Sequence, residues 1–232
     1  MGFYRGPHIV TDGLVLALDA ANPTSYPGSG TTWRDLSGNN NSGSLVNGPT
    51  FNSVNGGSIV FDGSNDYVNI PYAGNTSNSF TFTIVMKCNN MDSNTSLNRQ
   101  TLFGLSQNGN AAFRQFDVEI WGNTGVGFRG NGGAVENVNF FSYSWTLGVN
   151  ANNINIYTIT LNSTGHSIYV NGVLRNTISQ TATADFNSIV LGTRLSGNLW
   201  SGSCFNFSMY NRALALTEIQ QNYNAMRGRF GI

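Results

Sequence analysis

Seven residues, Gln115-Phe116-Asp117-Val118-Glu119-Ile120-Trp121, set two carboxylates and an indole at alternate positions of an apolar run. In an extended strand alternate side chains share one face, and neighbours on that face lie about 7 Å apart. Gln115, Asp117, Glu119 and Trp121 then line one face, while Phe116, Val118 and Ile120 turn to the core. Three readings of the polar face stay open: an ordinary exposed strand surface, a surface that cradles a sugar ring, or a hydrolytic carboxylate pair. Hydrolysis with retention needs two carboxyls about 5–5.5 Å apart, one as nucleophile and one as acid. Asn123, Arg129 and Tyr143 complete the candidate ligand set. Amides and guanidinium groups bind hydroxyls, and aromatic rings stack on the apolar faces of sugars.

A second pair of carboxylates, Asp62 and Asp66, stands in Ile59-Val60-Phe61-Asp62-Gly63-Ser64-Asn65-Asp66-Tyr67-Val68. A metal-binding or catalytic pair is one reading. The other is punctuation: Asx side chains bind their own backbone in turns, and Asp-Gly between two apolar runs is a turn signal. The spacing does not fit the EF-hand loop, whose glycine comes at the sixth position.

Other constellations fail on context. Gly125-Val126-Gly127-Phe128-Arg129-Gly130 matches the dinucleotide fingerprint letter for letter. That fingerprint requires a helix to open at the glycines, and here they run into Asn131-Gly132-Gly133. No nucleophile elbow sits between a strand and a helix, and neither His8 nor His166 stands where a triad base belongs. Cys88 and Cys204 lie in apolar strand-like runs, which favours buried thiols over a disulfide. With two cysteines and two histidines a zinc site cannot be assembled.

The elements that would position these groups read as short strands. Leu14, Leu16 and Leu18 alternate, as do Phe80, Phe82, Ile84 and Met86. Similar runs follow at 154–162, 166–170, 188–192 and 203–210. Asn171-Gly172 after one of them is a strong hairpin signal. Thr217 with Gln220 predicts a capping box for a helix from Glu218, its face Ile219, Tyr223 and Met226, stopped by Gly228. The Gly- and Asn-rich segment 22–57 reads as long loops. The expected fold is all-β, a two-sheet antiparallel jelly-roll sandwich with one short C-terminal helix. One domain spans 1–232, with short arms at 1–10 and 227–232.

Composition narrows the partners. Of 232 residues only 9% are charged, ten arginines and a single lysine balancing 11 acids, while 34 are asparagine. No basic cluster marks a nucleic-acid binder. No run of about 18 apolar residues occurs, so no membrane-spanning helix is expected. The start, MGFYRGPHIV, lacks the apolar centre of a secretory signal, so export by the general secretory route is not expected.

Residues 13–51, GLVLALDAANPTSYPGSGTTWRDLSGNNNSGSLVNGPTF, are followed by GGSIVFDGSNDYVNIP, FTFTIVMK, SIYVNGVL and FSMYNRALALTEIQQNYNAMRGRFGI. In this order they resemble the laminin-G-like domains of the concanavalin A-like lectin/glucanase superfamily. The W-x-D-L-S-G-N segment and the N-R-A-L…E-I-x-x-N-Y ending are similar to domains of tailed-bacteriophage virion proteins. The resemblance implies a concanavalin A-like jelly roll and a structural protein without enzymatic activity, a capsid decoration or fibre-type module. Its partners would be other virion proteins of capsid or tail, further copies of itself, and a cell-surface glycan. It would be assembled in the host cytoplasm and exposed on the particle. A lectin or adhesin is the alternative, with a β-glucanase third. The glucanase motif E-x-D-x-E, laid on Gln115, Asp117 and Glu119, puts an amide at the nucleophile position, where no glycosyl ester can form. No cofactor is required. Calcium, which some family members hold at the sandwich rim, would draw on Asp62, Asp66 and Asp19.

Overall fold

The computed structural model describes residues 7–72, 79–91, 99–107, 110–121, 125–130, 145–146, 149–179, 186–192 and 199–232. Sixteen strands among them form two antiparallel sheets. The first runs β14 (Val173–Ile178), β13 (Gly165–Val170), β12 (Asn155–Asn162), β7 (Phe80–Cys88), β16 (Ser201–Tyr210), β5 (Ser58–Asp62), β4 (Thr50–Asn52), with β1 (Leu14–Asp19) also paired to β16. The second runs β11 (Trp145–Thr146), β10 (Gly125–Gly130), β9 (Asn110–Trp121), β8 (Arg99–Gln107), β15 (Ser188–Leu191), β6 (Tyr67–Pro71), β3 (Gly43–Val46), β2 (Thr32–Trp33).

Alternation decides what lies between the sheets. Leu16, Leu18, Phe82, Ile84, Phe207 and Met209 face inward from the first; Val68, Ile70, Phe103, Leu105, Val118 and Ile120 do so from the second. Phe82 meets Phe103 across the gap at 5.1 Å between ring centroids, and Phe61 stacks on Trp200 at 4.7 Å. The all-β, two-sheet jelly-roll expectation is met, and the runs read as strands lie within strands of the fold to within one residue, 154 and 192 falling just outside β12 and β15.

Segment 22–57 corrects the sequence reading. It is not only loop: β2, β3 and β4 lie within it and extend both sheets. These strands have two to four residues, too short to display a period. Asp35, between β2 and β3, shields the outer edge of β1: its carboxylate accepts hydrogen bonds from the N–H groups of Ala17, Ser37 and Asn41. The side-chain amides of Asn39 and Asn41 donate to the carbonyls of Leu14 and Val15. A sheet edge left with unpaired backbone groups invites association, and this loop occupies it.

The outer face of the first sheet carries α1 (Leu216–Phe230), with Tyr223, Met226 and Phe230 packed on Val85, Ile156 and Phe205. Strand β7 is therefore buried almost throughout, on both of its faces. The helix begins before the predicted point. Ala215 is its N-cap and has no side chain to cap with, so Glu218 reaches back and accepts the Ala215 N–H at 2.8 Å. Gly228 does not stop it; Gly231, at φ 69°, does. The C-terminal arm expected at 227–232 is helix in its first part and tied down. Arg229 pairs with Asp19 at 2.7 Å and donates to the carbonyls of Asn55 and Gly57. Of the N-terminal arm, residues 7–10 are described, and Val10 is held by Asn222 on the helix.

Glu218 also grips Arg212 through two bonds, of 2.6 and 2.8 Å. The guanidinium holds this carboxyl down at about 2, against an ordinary 4.5. A depressed acid contributes stability above its unfolded pKa and loses it as pH falls through the folded one. Wild type should melt above Glu218→Gln at pH 6, and the gap should close between about pH 4.5 and 2. A gap independent of pH would contradict this role.

Candidate functional site

Residues directly opposed in antiparallel strands share a face, so the register defines the surface around the acidic strand. Val118 and Ile120 belong to the core, which leaves Asp117, Glu119 and Trp121 on the outer face of the second sheet. One row across that face reads Arg129, Asp117, Gly104, Val190, Asn69, Ser44 from β10 to β3. The next reads Gly127, Glu119, Thr101. Glycines at 104 and 127 leave backbone beside the two carboxylates.

This face is not the open polar surface that alternation alone suggests. Asp117 is 4%, Glu119 0% and Trp121 6% exposed. A buried carboxylate needs hydrogen-bond partners, and the Trp121 indole N–H donates to Glu119 Oε2 at 2.9 Å. The two groups are two residues apart, so the strand itself sets this bond. It orients the carboxylate and holds the indole edge-on to it. Thr101, fully buried opposite Glu119, and Asn69, whose Oδ1 accepts the Ser188 hydroxyl at 2.9 Å, join the same face. Sequence reading missed them, because strand order and register are not visible in any local pattern.

The remaining ligand candidates divide. Gln115 lies on β9 in phase with Asp117, and Arg129 on β10 opposite Asp117, both placed by backbone alone. Asn123 and Tyr143 lie outside the described residues. The glycines of the dinucleotide-like match form β10, a strand and not a helix opening. Cys88 and Cys204 are buried free thiols, and burial pushes both well above the ordinary thiol range.

The three metal candidates do not converge. Asp62 pairs with Ser201 and Asp19 with Asn206, five residues apart along β16, on the order of 17 Å. Asp19 is already committed to Arg229. Asp62 Oδ1 accepts the Ser64 N–H at 2.7 Å and the Asn65 N–H at 3.4 Å, while Asp66 Oδ2 accepts the Asp62 N–H at 3.1 Å. The Ser64 N–H holds the Asp62 carboxyl below the ordinary range; burial raises that of Asp66. Both aspartates shape the turn between β5 and β6. Among the described residues, no three His, Cys, Asp or Glu side chains gather into a group that could hold a metal ion, and Asp19 stands apart from the turn that carries Asp62 and Asp66. No described helix is long and apolar enough to cross a membrane.

Comparison with known proteins places this geometry. Residues 62–220 match a laminin-G family model described as the concanavalin A-like lectin/glucanases superfamily. No curated protein sequence matches the chain. Among solved structures, the binding domain of botulinum neurotoxin DC, in complex with SialylT, superposes with a TM-score of 0.70 at 19% identity. That match covers 93% of this chain and 52% of the other. A structure of botulinum neurotoxin type C, whose cell entry is described as dependent upon interaction with two ganglioside molecules, gives 0.71 at 19%, covering 94% and 52%. Trypanosoma rangeli sialidase, in complex with the inhibitor DANA, gives 0.64 at 17%, covering 93% and 33%. The chain thus spans about half the length of the neurotoxin chains and a third of the sialidase, and at these identities the likeness is one of fold.

Proposed function

The chain belongs to the concanavalin A-like lectin/glucanases superfamily, and from that premise we propose that it is a non-catalytic glycan-binding module serving as a structural or adhesion protein of a virion. The observation that carries the non-catalytic part is the state of Glu119. A nucleophile or general acid must reach the sugar it acts on, whereas Glu119 is fully buried and bonded to the Trp121 indole. With the glucanase motif E-x-D-x-E laid on Gln115, Asp117 and Glu119, the nucleophile position falls on Gln115, and an amide cannot take that role.

Glycan binding is supported by the structural neighbours, two of which are described with a sialylated ligand or gangliosides. The outer face of the first sheet is occupied by α1, so the reading puts the glycan on the side of the second sheet, with Asp117, Glu119 and Trp121 buried beneath that surface and supporting it. The virion placement rests on the Trp33–Asn39 and Asn211–Tyr223 signatures. In the fold these residues are stitches: Trp33 is fully buried, Asp35 seals β1, Arg212 clasps Glu218, and Asn222 pins Val10. They identify a type of sandwich and leave its binding face free to vary.

A glycan array, run with calcium and with chelator, tests the binding. At least one sialylated or neutral oligosaccharide should be retained equally in both conditions. A blank array would contradict glycan binding. Mass spectrometry of purified particles tests the placement, which fails if the protein is absent from them.

A further inference from the structure

A groove of about 390 Å³ runs between α1 and the outer face of the first sheet, on the opposite side of the sandwich from β9. Its floor is Asp19 of β1 with Asn206 and Ser208 of β16; Asp19 and Asn206 are direct partners in the register. Met226 and Phe230 of the helix give it an apolar wall, and Arg229 lies beside them. One feature of this groove is unexplained by folding. The Asn206 Oδ1 atom is shut off from water and accepts no hydrogen bond, so the amide keeps binding capacity that the protein leaves unused. A half-turn of the carboxamide exchanges its oxygen and nitrogen, so it can meet a donor or an acceptor. Ser208, only 5% exposed, brings a hydroxyl to the same floor.

The lining selects the ligand's chemistry. Asp19 and Arg229 are its only charged groups among the described residues, and they neutralise each other at 2.7 Å. Arg229 is further fixed by the Asn55 and Gly57 carbonyls. A charged ligand would have to break this arrangement. A purely apolar one would leave the Asn206 and Ser208 polar groups without partners. What remains is a neutral molecule with hydroxyls on one side and an apolar face on the other. The volume lies at the small end of the range for small-molecule sites, about 300–1,000 Å³, which favours one ring over a chain. We propose that this groove is a second ligand site that binds a single neutral sugar ring. It does not depend on the glycan reading of β9.

The test uses protein carrying 13C-methyl methionine and 15N-labelled indoles, titrated separately with D-glucose, D-galactose and the charged N-acetylneuraminate. At least one neutral sugar should shift the Met226 methyl saturably, leave the fully buried Met86 and Met209 unmoved, and N-acetylneuraminate should not shift Met226. Ala225→Leu fills the groove from the helix, keeps good helix propensity and removes no side-chain hydrogen bond. It should weaken the Met226 response at least tenfold, and Ser208→Ala should weaken it severalfold, both with the wild-type fold by circular dichroism. A Met226 methyl that no neutral sugar moves, or an unchanged response in both variants, would overturn the proposal. A shift confined to the Trp121 indole would put the sugar on β9 and equally overturn the groove site.

Discussion

Gly202→Ala should cost about 3 kcal/mol or more, a large effect for the addition of a single methyl group. Gly202 sits in β16 between β5 and β7, paired with Phe61 on one side and Cys88 on the other. A methyl group there would run into the Lys87 carbonyl and the Trp200 indole at once. Trp200 is fully buried and stacked on Phe61, so it has nowhere to swing. The Lys87 carbonyl belongs to the β7 backbone and moves only if the ladder moves. The collision is therefore relieved by shifting a central strand pair. Urea denaturation should show a lower midpoint with the slope unchanged. A loss under 1 kcal/mol would mean that β16 and β7 are less tightly joined than described.

The second large effect lies at Asn222, where the two ends of the chain meet. Its Oδ1 accepts the Val10 N–H at 2.8 Å and its Nδ2 donates to the Tyr210 hydroxyl at 3.0 Å. Tyr210 completes the ring by donating to the Val10 carbonyl at 2.9 Å. Asn222 is 2% exposed, so truncating it strands a buried N–H and half-satisfies a buried hydroxyl. Each orphan costs about 1–3 kcal/mol, and Asn222→Ala should lose about 2–4 kcal/mol. Tyr210→Phe leaves the Val10 N–H bonded but strands the Val10 carbonyl and the Asn222 Nδ2, so its loss should be of the same order, about 2–4 kcal/mol. The double variant should lose less than the sum, since both act on one ring. Strict additivity, measured by denaturation of all three variants, would contradict a shared network.

What could be read from the sequence follows from the range of the forces involved. Strand period is local, so β1, β7, β12 and β16 were legible from alternate Leu, Phe and Ile alone. The Asn171-Gly172 hairpin was legible because both residues take positive φ, at 51° and 75°. The start of α1 was not, because its cap is a glutamate reaching back to an alanine, against the usual direction of a capping serine or threonine. Asp62 and Asp66 were legible as turn residues from Asp-Gly, and their bonds within the turn follow that pattern. Period two also assigned Asp117, Glu119 and Trp121 to one face. It could not say that this face is buried there, since burial depends on chain far away in sequence. The Glu119–Trp121 bond was implicit in the i, i+2 spacing, yet only burial gives it consequence.

The central claim, binding without hydrolysis, is tested most directly by incubating the protein with the glycan it retains best and weighing both afterwards. Calorimetry should give a saturable isotherm in wild type and in Glu119→Gln, and mass spectrometry should recover the glycan at its original mass after prolonged incubation. Shortened glycan in the presence of wild type, lost in Glu119→Gln, would contradict the account and make Glu119 a catalytic residue.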